Sequence, residues 1–314
     1  MSASHVLQGE LAYEALRLVF IPWQRERRIA KEQERIRLAR LSSSVIAGGL
    51  QHSIALRGDG GIACWGENGE GQAPPGGVDG DFVALAAGCL HSLAVRRDGG
   101  IACWGENGAD QAPPDGVDGD FVMVAAGTNH SLALRRDGRV ACWGRNNNGQ
   151  APPAGVDGDL SVRRATTRGG IACWGANYGG QAPPDGVDGD FVAIAAGDGR
   201  SLALRRDGGI ACWGRNDNGQ APPAGVDGDF VAIAAGDYHS LALRRDGRVA
   251  CWGRNNNGQA PPEGINGDFV AIGAGAQHSL ALRRDGRIAC WGLNNNDQAP
   301  PAGVLGPFGL NVDV

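Results

Sequence analysis

Apolar and polar positions recur through most of the chain in a fixed order: three short apolar runs, each closed by a turn signal, return at constant spacing. One unit, residues 229–267, reads DFVAIAAGDYHSLALRRDGRVACWGRNNNGQAPPEGING, and its runs FVAIAAG, HSLALR and RVACWG are each of strand length. The tripeptide CWG begins at Cys64, Cys103, Cys142, Cys173, Cys212, Cys251 and Cys290, so the period is 39 residues except for one step of 31 between the third and fourth copies. A period of this size outranks other local signals and predicts stacked modules.

Within every unit but the fourth, Asp-Gly between alternating residues marks an antiparallel hairpin of the second and third strands. A two-residue turn centred on Asp137-Gly138 places Leu132 opposite Trp143, Leu134 opposite Ala141, Ala133 opposite Cys142 and His130 opposite Arg145. Side chains alternate along a strand, so Leu132, Leu134 and Trp143 form a bulky face and Ser131, Ala133, Val140 and Cys142 a slim one. Such a sheet buries its bulky face on the slim face of the next copy, and head-to-tail packing of this kind closes into a ring. The predicted fold class is all-β: a seven-bladed β-propeller with a truncated fourth blade. A parallel β-helix is the rival, but it requires no Asp-Gly hairpin in every unit. The first strand, apolar on both faces and ending in small residues, belongs at the crowded central axis.

Two irregularities stand out. The fourth unit, VDGDLSVRRATTRGGIACWG, is eight residues short and lacks the AIAAG run and the His-Ser pair, which predicts a missing strand. Phe308 lies 39 residues after Phe269, so PFGLNVDV is an eighth copy of the first strand, while unit one has only SSSVIAGG there. One of these terminal segments is expected to pair beside blade one, covering the exposed edge at the seam. Residues 43–314 form the propeller, and residues 1–42 a short N-terminal extension with helices over 8–20 and 23–41, broken at Pro22. The second of these is basic, WQRERRIAKEQERIRLARL, and is the one segment that points to RNA, DNA or an anionic surface.

Composition adds limits. A net charge of -5 and a pI near 5.7 oppose a surface that wraps nucleic acid throughout. No stretch reaches the ~18 apolar residues of a membrane span, and the start of the chain lacks the order of a signal peptide, so a cytoplasmic or nuclear location and a monomeric state are expected. The 53 glycines suit tight turns and closely stacked backbones.

The run AAGxxHSLALRRDGRVACWGRNNNGQ resembles the repeat of the regulator of chromosome condensation family, and the resemblance extends over residues 43–314. The short period is similar to that of the compact bacterial form represented by the propeller-shaped beta-lactamase inhibitor protein. The resemblance implies a propeller; its relatives include nucleotide-exchange factors for a small nuclear GTPase, ubiquitin ligases and enzyme inhibitors. The exchange factors have longer units and a wedge between blades, whereas no unit here exceeds 39 residues.

Six histidines and eight cysteines raise a metal or thiol reading. They recur in equal copies, which suits a structural role better than an active site, so no catalytic residue, metal or cofactor is assigned and an enzyme is not expected. The repeated Asn and Gln are expected to bond backbone in the turn after the third strand. Cys89 falls outside the pattern and is the candidate reactive thiol. Binding belongs where the copies differ, in the loop after strand one and the loop after strand three, which share one side of the disc. The candidate partner-binding residues are Leu50, Gln51, Leu90, Asn129, Asp237, Tyr238 and Gln277 in the first loop and Glu67, Glu106, Arg145, Arg215 and Arg254 in the second. Repeats one and two are acidic there and repeats three, five and six basic, while Leu50, Leu90 and Tyr238 offer apolar anchors. The function expected is a non-enzymatic scaffold that binds a protein partner of complementary charge. The alternatives are a guanine-nucleotide exchange regulator and a chromatin-associated binder using the basic helix.

Overall fold

The computed structural model describes residues 45–137, 139–147, 177–183, 187–306 and 308. The N-terminal helices expected over 8–20 and 23–41 lie outside these residues, as does most of the fourth repeat. Six three-stranded antiparallel sheets account for the described repeats. Repeat one comprises β1 (Ile46–Gly48), β2 (His52–Leu56) and β3 (Ile62–Gly66); repeat two, β4 (Phe82–Ala87), β5 (His91–Arg96) and β6 (Ile101–Gly105); repeat three, β7 (Phe121–Ala126), β8 (His130–Arg135) and β9 (Val140–Gly144). Repeat five holds β10 (Phe191–Gly197), β11 (Arg200–Arg205) and β12 (Ile210–Gly214); repeat six, β13 (Phe230–Ala235), β14 (His239–Arg244) and β15 (Val249–Gly253); repeat seven, β16 (Phe269–Ala274), β17 (His278–Arg283) and β18 (Ile288–Gly292). The fold is a β-propeller of these sheets, with the first strand of each innermost: β4 packs beside β7, β10 beside β13, β13 beside β16, β16 beside β1 and β1 beside β4. A residual outer strand follows five of the six described sheets as a single bridge, such as Ile62 with Val78 and Val249 with Ile265.

The hairpin register differs by one residue from the sequence expectation. Ser131 lies opposite Trp143, Leu132 opposite Cys142, Ala133 opposite Ala141, Leu134 opposite Val140 and His130 opposite Gly144. The reason is the turn. In repeat two, Arg96 N–H donates to Gly100 O at 2.7 Å and Gly99 N–H to Arg96 O at 2.9 Å, which encloses three loop residues instead of two. Gly99 has φ +92°, and the equivalent Gly60, Gly208, Gly247 and Gly286 have φ +90°, +98°, +85° and +82°, the left-handed closing residue of a three-residue hairpin.

The slip moves Trp to the slim face and Cys to the bulky one. The two faces remain unequal, and the nesting is as expected. Leu202, Leu204, Ile210 and Cys212 of repeat five pack on Ile233, Ala242, Ala250 and Trp252 of repeat six. Leu241, Leu243, Val249 and Cys251 of repeat six pack in the same way on Ile272, Ala281, Ala289 and Trp291 of repeat seven. Each aliphatic side chain so buried contributes about 2 kcal/mol.

The seam at repeat one uses both ends of the described chain. Ile46, Ala47 and Gly48 pair with Ala55, Ile54 and Ser53, the upper half of an inner strand. Phe308 bridges Arg57, as Phe82 pairs with Arg96 in repeat two, and so supplies the lower half. Both terminal segments, not one, build this inner strand.

Candidate protein-interaction face

A polar circuit fixes the positions of the variable loops. His52 Nε2 lies 3.0 Å from Ser92 Oγ of the next repeat, and His91–Ser131, His239–Ser279 and His278–Ser53 repeat the contact at 3.0, 2.8 and 2.8 Å. The last of these joins repeat seven to repeat one. Each such serine donates to the main-chain carbonyl of the Gln in the preceding repeat, which also accepts from the Trp indole: Ser92 Oγ and Trp104 Nε1 both reach Gln72 O, and Ser53 Oγ and Trp65 Nε1 both reach Gln298 O. Burial holds the imidazoles neutral. His52 and His239 are pushed down to about 3 and His91 and His278 to about 4, chiefly by desolvation.

The glycine that ends each inner strand is required by close approach. A Cβ on Gly236 would stand 2.4 Å from Gly275 O of the next repeat and 2.3 Å from the ring of its own His239. In repeat five, Arg200 replaces the histidine. Its buried guanidinium donates to Ser240 Oγ at 3.3 Å, to Gly236 O at 3.0 Å and to the carbonyls of Asp237 and His239, and burial lowers it to about 10. It bridges to repeat six as a cation and remains charged.

The turn after strand three is self-contained, as the sequence implied. Asn68 Oδ1 accepts from Ala73 N–H at 2.8 Å and Gln72 Oε1 from Glu70 N–H at 2.9 Å, with equivalents in repeats two, four, five, six and seven. The variable loops meet at its base. Glu67 N–H donates to Gln51 O, Glu106 to Leu90 O, Arg145 to Asn129 O, Arg215 to Gly199 O, Arg254 to Tyr238 O and Leu293 to Gln277 O. The two loops of each repeat therefore lie on one side of the disc, and Gln51 with Glu67, Leu90 with Glu106, Asn129 with Arg145 and Tyr238 with Arg254 form neighbouring pairs.

Their surroundings differ. Arg145 and Arg215 are exposed, while Leu50, Leu90 and Tyr238 are half-buried. Gln277 Oε1 is engaged by Asn257 Nδ2 at 2.9 Å, across a repeat boundary. The guanidiniums of Arg215 and Arg254 flank the Tyr238 ring at 5.7 and 5.6 Å from its centre. Arg215 also pairs with Asp217 and, at 3.7 Å, with Asp198, which softens the basic sector anticipated there. On the opposite side, Arg97–Asp81, Arg136–Asp120 and Arg284–Asp268 pairs of 2.7, 3.1 and 3.0 Å neutralise the Arg-Arg-Asp-Gly turns.

Sequence reasoning missed Tyr178. It is 90% exposed in the turn that closes repeat four, on the variable side, and the neighbouring Gly179 lies against Arg215. The signal was present: Tyr178 is the one aromatic in a column otherwise occupied by Gly69, Gly108, Asn147, Asp217, Asn256 and Asn295. Cys89 does not meet the expectation of a reactive thiol. It is half-buried, hydrogen-bonded to Thr128, and desolvation pushes its thiol up. The seven described cysteines are all free, and among the described residues no cluster of three His, Cys, Asp or Glu gathers for a metal.

Repeats with a His-Ser start, Arg-Ser in repeat five, a Trp-Gly and a closing Gln, joined as described, match the regulator of chromosome condensation (RCC1) repeat at residues 44–72, 121–150, 191–220, 230–259 and 269–298. The chain carries RCC1 repeats. The ectodomain of the Arabidopsis thaliana receptor kinase ACR4 is similar in structure, with TM-score 0.60 and 21% identity over 83% of this chain and 98% of that one. The ectodomain of the Physcomitrella patens receptor kinase CR4 matches with TM-score 0.57 and 24% identity over 80% of this chain and 73% of that one. At these identities the likeness is one of fold. A comparison with curated proteins finds no match. Among the described residues no helix is long and apolar enough to cross a membrane.

Proposed function

We propose that this chain is a non-enzymatic protein-binding scaffold, and that its variable-loop side docks an acidic partner along repeats three to six. The observation that carries the reading is the strip Tyr178, Arg215, Tyr238 and Arg254, in which aromatic rings and guanidiniums alternate and one ring is almost fully exposed. Tyr and Arg are among the side chains that concentrate binding energy in protein interfaces, offering large contact area and hydrogen-bond donors. Arg145 extends the strip. Glu67, Glu70, Glu106 and Asp110, across the same side, disfavour the opposite docking orientation.

The reading takes the ring as seven-bladed. Supporting it, Gln181 O of repeat four accepts from Ser201 Oγ at 3.1 Å and Trp213 Nε1 at 3.0 Å, the joint made by every complete repeat. The test is affinity capture by the wild-type chain and by a variant with Arg145, Arg215 and Arg254 all changed to Glu, alongside Tyr178→Ala. Loss of the same captured protein from both variants, with melting unchanged, supports the assignment. A capture profile identical in all three rejects it.

A further inference from the structure

The turns that hold the loops in place also set the chemistry of the asparagines within them. Asn followed by Gly occurs at Asn68, Asn107, Asn148, Asn218, Asn257 and Asn266, and all but Asn148 lie with their glycines among the described residues. Such a step is prone to self-modification, because glycine has no Cβ to keep its main-chain nitrogen away from the preceding side-chain amide. The amide must turn back and the glycine N–H must be given up, so a hydrogen bond at either group restrains the reaction. The five sites differ in this respect. Asn68 Oδ1 accepts from Ala73 N–H at 2.8 Å and Gly69 N–H donates to Glu67 Oε1 at 2.9 Å, so both reacting groups are engaged. Both are engaged at Asn257 as well, where Nδ2 donates to Gln277 Oε1 at 2.9 Å and Gly258 N–H donates to Asn255 O at 3.1 Å. One group is engaged at Asn107, whose Oδ1 accepts from Ala112 N–H at 2.7 Å, and one at Asn218, where Gly219 N–H donates to Asn216 O at 3.1 Å. Asn266 is exposed, and among the described residues neither its side chain nor Gly267 N–H has a hydrogen-bond partner.

We propose that Asn266 is a site of spontaneous deamidation, the fastest of the described Asn-Gly steps. Gly267 N attacks Asn266 Cγ and passes its proton to water as the new C–N bond forms; the Cγ–Nδ2 bond breaks, and ammonia leaves behind a succinimide. Water then opens that ring at one or other of its carbonyls, giving aspartate or isoaspartate with no change of oxidation state. Either product alters the crossover from repeat six to repeat seven, since Asn266 lies between Ile265, bridged to Val249, and Phe269, the first residue of β16. Isoaspartate adds a methylene to the main chain there. Aspartate matches the other crossovers, which carry Asp79, Asp118, Asp188 and Asp227. Asp79 accepts from Arg57 at 2.9 Å, and Arg244 is the counterpart of Arg57 in repeat six. The site is on the side of the Arg-Arg-Asp-Gly turns, so the inference is independent of the docking strip.

The experiment incubates the native full chain at mildly alkaline pH, with a companion sample in urea, and follows each Asn-Gly peptide by mass spectrometry after digestion. A hydrogen bond worth about 1 kcal/mol that must first be broken slows a step about fivefold, so Asn107 and Asn218 should react about fivefold, and Asn68 and Asn257 about 25-fold, more slowly than Asn266. In urea the five rates should converge. Gln277→Ala should quicken Asn257 about fivefold and leave Asn266 unchanged. A native rate at Asn266 no greater than at the other four sites would overturn the proposal. So would the same order of rates in urea, which would trace the differences to neighbours in sequence and not to the fold.

Discussion

Lowering the pH from 7 to 5 should remove most of the folding free energy of this protein, through the imidazoles that join the blades. His52, His91, His239 and His278 are buried and neutral, held at about 3 to 4 against 6.5 in the unfolded chain. A base whose folded value is depressed leaves stability intact above its unfolded value. That stability is lost as pH falls below about 6.5, because the unfolded chain takes up protons that the folded one refuses. At pH 5 each histidine costs about 1.8 kcal/mol relative to pH 7, and the four together about 7 kcal/mol, comparable to the total stability of an ordinary domain. Arg200 keeps its charge throughout this range and contributes nothing to the slope. Asp237, whose carboxyl is pushed up by burial, acts in the opposite sense, but it is one group against four. The assay is urea unfolding followed by tryptophan fluorescence at pH 5, 6 and 7. The slope near pH 5.5 should correspond to uptake of three to four protons, and His91→Gln should remove about a quarter of it. A slope below one proton would refute the claim that these rings are locked neutral between blades.

Other expectations follow from the same joints. Gly236→Ala should destabilise by more than about 2 kcal/mol, since its Cβ would meet Gly275 O and the His239 ring, whereas Gly76→Ala, with open space and an ordinary backbone, should be neutral or slightly stabilising in thermal melts. Deletion of residues 306–314 should lower the melting temperature by several degrees, and Phe308→Ala alone should reproduce much of the loss, about 2 kcal/mol for a half-buried ring. Native protein should react slowly with a thiol reagent at Cys64, Cys103, Cys251 and Cys290, which desolvation pushes up to about 12, and all eight thiols should appear once it is unfolded. Fewer than eight would reveal a disulfide.

Repeat length, strand count and the head-to-tail nesting were legible because they depend on spacing and on the size of alternating side chains, both written directly into the 39-residue unit. The hairpin register was not. Asp-Gly is compatible with two-residue and three-residue turns, and the choice rests on the left-handed conformation of Gly60, Gly99 and their equivalents, which the letters alone do not specify. One residue of difference moved Trp143 and Cys142 to opposite faces. The variable side was read correctly as a location, since antiparallel strands force both loops to one end. Its electrostatics were not, because the ion pairs of Arg215 depend on how Asp198 and Asp217 fold back.

The joint between blades uses the same few atoms at four described boundaries, an imidazole to a hydroxyl and a hydroxyl and an indole to one carbonyl, and at the boundary of repeats five and six the Arg200 guanidinium takes the place of the imidazole. Any unit can therefore follow any other. Recombination between near-identical copies could add, remove or exchange a blade without inventing a new contact, so selection is free to work on the loop tips while the couplings stay standardised.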